Sequence, residues 1–224
     1  MKLVKKTMIA AVVASTLIAG SAFAAGAQTG LVLGGNLGYG YAQNGTIKNG
    51  PAGPLGGAFD KSNGGLAGGV FIGYDYAISK MISVGVEADL QYAHNLANGK
   101  VALPGNSSAS YRTNGLAVPV FFTTKFYVPG VNGLNVFGKF GYAYNRITTS
   151  SSVSIPNLPA QWGGGDHKVT ETTNLWRPVI AGGIGYQIDK VNLFAQYQYN
   201  FLRSGGNNSG YSTFTGGVSY TLPM

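Results

Sequence analysis

The feature that most constrains this chain is a strict alternation of apolar and polar residues over long segments. Between Ile82 and Tyr92 the even positions are apolar or aromatic, and the odd positions are Ser83, Gly85, Glu87, Asp89 and Gln91. A period of two is typical of a β-strand, because successive side chains point to opposite faces. The segment 191–201 repeats the pattern. Each of these segments therefore predicts a strand with one apolar and one polar face.

Six further segments alternate with more exceptions, the last being the weakest. Their apolar faces begin at Leu31, Leu66, Leu116, Leu134, Trp176 and Phe214. The connections alternate between short turns and long polar links. The short turns lie near residues 78–80, 128–133 and 188–190, and the long links cover 42–64, 93–110, 147–173 and 202–210. This sorting is typical of outer-membrane barrels. The sequence predicts an all-β fold, a transmembrane antiparallel up-and-down β-barrel of eight strands with short periplasmic turns and long extracellular loops.

The N-terminus predicts export. Lysines near the start precede an apolar run over residues 8–19, which has the length of a signal-peptide core and is shorter than the roughly 20 residues of a spanning helix. Ala22 and Ala24 match a cleavage site. We therefore expect a signal peptide over residues 1–24 and a barrel over residues 25–224, located in the outer membrane of a Gram-negative cell.

Composition excludes several other classes. The chain has no Cys, so disulfides, zinc–thiolate sites and Cys nucleophiles are excluded. Charged residues make up 10% of the chain, against about 25% in soluble domains. The formal net charge is +8, and part of that excess lies in the predicted signal peptide. The remaining basic residues form no stripe along which a phosphate backbone could bind, so no nucleic-acid partner is expected.

The ionisable residues deep within the strands all fall on the polar faces. They are Asp75, Glu87, Asp89, Lys125, Lys139 and Arg177. A Lys or Arg facing lipid at mid-depth would cost about 2–4 kcal/mol, whereas the lumen of an eight-stranded barrel is narrow enough to pair it. Counting from the turns places Glu87 and Lys139 at similar mid-depth, with Asp75 and Lys125 lower. We expect a neutralised lumen network that serves packing, and the alternative is a salt-bridge gate in a narrow pore.

Aromatic residues collect at both ends of the apolar faces, as two lipid–water interfaces require. The predicted outer girdle is Tyr39, Tyr41, Tyr92, Tyr142, Tyr144, Trp176, Tyr199, Phe201 and Phe214. The predicted inner girdle is Tyr74, Tyr76, Phe126, Tyr186 and Tyr220. Aromatics of an ordinary β core would not cluster at strand ends.

Thr215, Gly217, Tyr220 and Leu222 of the final segment resemble the C-terminal signal by which assembly machinery recognises outer-membrane barrels, although the chain continues to Met224 instead of ending on an aromatic residue. The segments 31–40, 118–122 and 138–144 resemble strands of the OmpA-like family. This resemblance implies an eight-stranded outer-membrane barrel without the peptidoglycan-binding domain of some members. It also implies the barrel assembly machinery as a partner.

Three classes of function remain open. The first is a structural and surface-interaction barrel, a monomer whose loops contact host molecules or lipopolysaccharide; the loop lysines Lys48, Lys61, Lys100 and Lys168 could meet anionic lipid sugars. The second is a narrow, porin-like passive channel. The third is a lipid A-modifying enzyme, for which only His94 and His167 could serve as histidine bases, both in predicted loops. Without a recognisable triad we expect no enzyme activity and no cofactor or metal.

Overall fold

The computed structural model describes residues 26–42, 60–62, 64–103, 107–155, 165–202 and 210–224, so the predicted signal peptide and its cleavage site lie outside the described residues. Nine strands occur in these ranges. They are β1 (Gly30–Ala42), β2 (Asp60–Ser62), β3 (Gly65–Ala77), β4 (Ile82–Leu103), β5 (Ser107–Tyr127), β6 (Leu134–Ile155), β7 (Gly165–Ile188), β8 (Val191–Phe201) and β9 (Gly210–Pro223). None of the described residues forms a helix long and apolar enough to cross a membrane.

Eight antiparallel strands close into a ring, which confirms the predicted barrel. The order around the ring is β1, β3, β4, β5, β6, β7, β8 and β9, and β9 pairs back onto β1. Following directly paired residues around the ring from Val32 leads back to β1 at Ala42, ten residues further along. Strand stagger and tilt are linked in a closed barrel, and this stagger corresponds to a tilt of about 40°.

The two faces of each strand have opposite polarity, as the period of two predicts. Large apolar side chains such as Val86 and Phe140 are about as exposed as surface residues of a soluble protein, at 58% and 62%. Glu87 and Lys139, their neighbours in sequence, are buried inside. Apolar residues outside and ions inside reverse the usual arrangement, because hydrocarbon surrounds a transmembrane barrel.

The short connections join strands where the sequence predicts them. In the turn between β5 and β6, Gly130 and Gly133 have φ of 82° and 84°, a conformation that L side chains rarely adopt. The carbonyl oxygen of Gly133 also accepts a hydrogen bond from the backbone N–H of Gln187 at 2.8 Å, which connects this turn to β7. Because these connections are short, the end of the barrel at which they lie is compact.

The predicted long links 93–110 and 147–173 are wrong in extent, because strand pairing continues through most of them. The strands β4 to β7 have 22, 21, 22 and 24 residues, against 11 to 14 in the other four strands of the ring. The Ser- and Thr-rich composition of these links predicted loops. Thr also favours β-strands, and the hydrogen-bonded pairing of the strands continues beyond the apolar band. We call the extensions 95–103, 107–116, 145–155 and 165–174 the protruding sheet. β2 pairs with its β4 edge at Asn98–Lys100.

Candidate functional site

The lower lumen holds an ion pair near the short turns. The Lys125 Nζ atom of β5 lies 2.5 Å from Asp75 Oδ2 of β3, and the two side chains are 12% and 10% exposed. Nearby, the Tyr127 hydroxyl donates to Gln187 Oε1 at 2.5 Å, and Asn135 Nδ2 donates to Asn192 Oδ1 at 2.9 Å. These contacts span the barrel from β3 to β8, so polar side chains close the lumen at this end.

The central lumen holds a second, fully buried ion pair. Lys139 Nζ of β6 donates to Glu87 Oε1 of β4, and each side chain is 5% exposed. The ammonium also lies 5.1, 5.9 and 5.4 Å from the ring centroids of Phe71, Phe121 and Phe137. A desolvated cation is stabilised by a carboxylate and by aromatic faces together. We call Lys139, Glu87 and the three rings the central plug.

A further ring and two glycines complete the packing around the central plug. Phe194 packs edge-on against Phe71 and Phe137, with centroid separations of 5.8 and 6.0 Å. A Cβ atom at Gly34 would collide with the Phe71 ring, and one at Gly217 would collide with the Phe194 ring. The glycines of β1 and β9 therefore leave the space that these inward rings occupy.

The remaining two predicted network residues form no salt bridge with a described residue. Asp89 is buried beside Glu87 and accepts a hydrogen bond from Gln91 Nε2 at 3.1 Å. Arg177 lies on β7, where its Nη1 donates to the Trp176 carbonyl at 3.4 Å. Among the described residues only the pairs of Lys125 and Lys139 meet the distance of a salt bridge. The six charges thus form two ion pairs, with Asp89 beside the central pair and Arg177 without a salt bridge among the described residues.

An amide ladder on the inward face of β8 was not among the predicted site residues. Gln196 donates to Gln198 at 3.4 Å, and Gln198 donates to Asn200 at 3.3 Å. Gln91 of β4 reaches across and donates to Gln198 at 3.0 Å. The sequence contains a signal for this ladder, because the amides of Gln196, Gln198 and Asn200 occupy alternate positions of one strand. Only the closed ring shows that β4 faces them.

The upper lumen is closed by apolar side chains at the extracellular end of the ring. Leu96, Leu202 and Tyr211 form a buried cluster with Ala67 and Ala93. The Tyr211 hydroxyl donates to Asn145 Oδ1 at 3.2 Å. The lumen therefore contains packed side chains at its lower, central and upper levels.

All fourteen predicted girdle residues lie on the outward faces of their strands. Two pairs of outer rings touch: Tyr144 and Trp176 at 5.5 Å between centroids, and Tyr199 and Phe201 at 4.6 Å. In β9, Thr215 points inward and is buried, Gly217 faces Phe194, and Tyr220 and Leu222 are exposed outward. Their role as an assembly signal stays a prediction.

The two histidines are in strands, which corrects their predicted placement in loops. His94 lies in β4, where its ring centroid is 6.4 Å from that of Tyr92, and His167 lies in the extension of β7. The described parts of the chain contain no group of three His, Cys, Asp or Glu side chains that could hold a metal ion.

The closed ring, the apolar exterior and the side chains that fill the lumen define a class of protein. This class is the small transmembrane β-barrel of the outer membrane. The chain matches the family described as the outer membrane protein beta-barrel domain over residues 10–221, and it belongs to that family. It is an outer-membrane protein, and its predicted resemblance to OmpA-like barrels is confirmed at this level. No curated protein matches the chain.

Three solved structures are similar to this chain. Neisserial surface protein A is 15% identical, with 86% of this chain and 97% of that chain covered and a TM-score of 0.44. The attachment invasion locus protein Ail of Yersinia pestis is 12% identical, with coverage of 88% and 99% and a TM-score of 0.47. The N-terminal barrel domain of Pseudomonas aeruginosa OprF is 15% identical, with coverage of 87% and 99% and a TM-score of 0.44.

Proposed function

We propose that this protein is a non-conducting outer-membrane barrel that anchors the protruding sheet for contact with molecules at the cell surface. The observation that carries the proposal is the central plug. Lys139 and Glu87 are each 5% exposed and lie among three phenylalanine rings, so a solute would have to displace a buried ion pair to pass. Breaking such a pair costs about 3–5 kcal/mol, because it leaves an uncompensated charge.

The protruding sheet supports the surface-interaction part of the proposal. The extensions of β5, β6 and β7 remain paired in register from Ser108–Ser154 and Ser154–Asp166 down to the barrel. Paired strands hold side chains in fixed positions, which lowers the entropy lost on binding compared with a free loop. A rigid scaffold that carries exposed polar groups is the usual way to display a binding surface.

A narrow channel is the second candidate function. A small polar cavity on the side of the lumen opposite Lys139 favours this function. A small cavity with room for about one water molecule is lined by Asn36, Gln91, Thr213 and Thr215 among others. The side-chain oxygens of Asn36, Thr213 and Thr215 are buried without a hydrogen-bond partner among the described residues. Water beside the amide ladder would satisfy them, and a continuous file of water would conduct small ions.

Planar-bilayer conductance of the refolded mature protein distinguishes the two functions. We expect no resolved unitary conductance in the wild type, and steps in the variant Phe71→Ala/Phe137→Ala, whose plug is smaller. The matched control Phe122→Ala/Phe140→Ala removes two rings from the outward face, where they lie 5.4 Å apart, and should remain silent. A stable conductance in the wild type that Lys139→Ala increases would contradict the anchor and support the gated channel.

Three further assignments remain part of the proposal. We propose that the barrel is a monomer, that the β9 residues Thr215, Gly217, Tyr220 and Leu222 are recognised by the barrel assembly machinery, and that the protein catalyses no reaction. Unchanged lipid A mass spectra in a deletion strain would support the last assignment. A lost or gained acyl or phosphate group would contradict it.

A further inference from the structure

The small lumen cavity lies between the upper apolar cluster and the central plug. Its lining includes Ala67, Ala93 and Tyr211 of the upper cluster, together with the polar residues Asn36, Gln91, Thr213 and Thr215. The cavity has room for a particle of about the size of one water molecule. Gln91 connects it to the level of the plug, because its Nε2 atom donates to Asp89 Oδ2 at 3.1 Å.

Oxygen atoms without partners are concentrated around this cavity. Asn36 Oδ1, Thr213 Oγ1 and Thr215 Oγ1 are buried without a hydrogen-bond partner among the described residues, and both threonines are 3% exposed. Gln196, the direct partner of Thr215 across β8 and β9, has an Oε1 atom in the same condition. Burial of an unpaired oxygen costs free energy, so several of them around one cavity indicate a ligand that accepts their lone pairs.

The charge beside the cavity is negative. Glu87 and Asp89 occupy successive inward positions of β4, and Lys139 forms its salt bridge with Glu87. Asp89 Oδ1 is also buried without a described partner. Arg177 forms no salt bridge among the described residues, and its Nη1 donates to the Trp176 carbonyl. One carboxylate charge therefore lacks a bound counter-charge, and the low dielectric of the lumen strengthens its attraction for a cation.

The oxygens of the cavity lie on both strands of the barrel seam. Asn36 is in β1, Thr213 and Thr215 are in β9, and these two strands pair directly. Thr215 is the direct partner of Gly38, two residues from Asn36, so Asn36 and Thr215 are diagonal neighbours on the inward face. The set of oxygens is therefore assembled only when β9 pairs with β1.

We propose that this cavity binds one monovalent alkali cation, which the oxygens of Asn36, Thr213 and Thr215 hold across the closed seam. Amide and hydroxyl oxygens can replace the hydration shell of such an ion. A divalent ion prefers several carboxylates, and the described ranges contain no group of three His, Cys, Asp or Glu side chains that could hold one. A water molecule would satisfy the oxygens without balancing the Asp89 charge. The inference goes beyond the proposed function, because display at the surface requires no bound ion.

The test measures the folding equilibrium constant of the mature protein in zwitterionic phosphatidylcholine vesicles, by urea unfolding followed with tryptophan fluorescence. NaCl or KCl is varied, and N-methylglucamine chloride, whose cation is too large for the cavity, keeps the ionic strength constant. An ion that binds only the folded barrel stabilises it by mass action. We therefore expect the constant to rise about tenfold for each tenfold increase in Na⁺ or K⁺ above its dissociation constant.

The variant Thr213→Val/Thr215→Val replaces two cavity hydroxyls with methyl groups and should remove the dependence on alkali cation. Thr123→Val is the matched control. Thr123 is 1% exposed and its Oγ1 is also buried without a described partner, yet it lies on β5, away from this cavity. This control should keep the wild-type dependence.

Two outcomes would overturn the inference. The first is a wild-type folding constant that is the same in NaCl, KCl and N-methylglucamine chloride, which would mean that water fills the cavity. The second is an alkali-cation dependence that the double threonine variant retains in full. The wild-type series gives a decisive result by itself, so the test does not depend on the folding of the double variant.

Discussion

At the scale of single residues, Lys139 shows how a charge is accommodated inside a barrel. Its ammonium has lost most of its water, and the Glu87 carboxylate and three aromatic rings replace it. The alternation of β4 and β6 predicts that both charges face inward. The identity of the partner depends on depth, which the sequence approximates by counting from the short turns. Asp89 points the same way and lies beside this pair, although it forms no salt bridge with a described cation.

Removing one member of the central pair should destabilise the barrel more than removing one of the lower pair. We expect Glu87→Ala to lower the free energy of unfolding by about 3–5 kcal/mol, because Lys139 is left buried without its carboxylate. The measurement is urea unfolding in lipid vesicles followed by tryptophan fluorescence. Asp75→Ala, whose pair is closer to solvent, is the control and should cost less. A Glu87→Ala/Lys139→Met double variant as unstable as Glu87→Ala would contradict this account.

At the scale of elements, β5 passes from water to lipid along one outward face. Ser108 lies in the protruding sheet, and Val120 lies in the apolar band, where it is 55% exposed. The same backbone ladder continues through both environments, so strand pairing does not end where the apolar pattern ends. For this reason the apolar pattern predicted the membrane part of each strand. The lengths of β4 to β7 predicted from this pattern were too short.

An arginine should destabilise the barrel at one of these two positions of β5 and have little effect at the other. Val120→Arg should lower the free energy of unfolding by about 2–4 kcal/mol, because a guanidinium would face hydrocarbon near the middle of the membrane. Ser108→Arg, twelve residues away on the same face, should change it by less than about 0.5 kcal/mol. Both variants are measured by the same vesicle unfolding assay. Equal effects would place the two residues in one environment and contradict the assigned membrane band.

At the scale of the whole molecule, the pairing of β9 with β1 turns a sheet into a barrel. Closure satisfies the backbone donors and acceptors of the first and last strands, which hydrocarbon could not. The ten-residue stagger between Val32 and Ala42 then sets the tilt and decides which residues share a level. The central plug is a consequence of this stagger.

Closure can be tested with engineered cysteines, because the natural chain contains none. Leu33 and Tyr220 are direct partners across the β1–β9 seam. We expect Leu33→Cys/Tyr220→Cys to form a disulfide in nearly all folded molecules under mild oxidation, read on a non-reducing gel, since paired Cα atoms lie within bridging distance. Leu33→Cys/Val86→Cys, whose strands are not neighbours, should form none. An unbridged seam in folded protein would contradict the closed ring.

The sequence by itself determined the class of fold and the direction of the side chains in the membrane part of each strand. Alternation is a local property, so Val86 facing lipid and Glu87 facing the lumen follow from neighbouring positions alone. Only the tertiary structure decided which groups meet across the ring, because register and stagger arise from pairing between distant strands. For that reason the partners of Lys139 could be approximated, while the contact of Gln91 with the Gln198 ladder required the closed barrel.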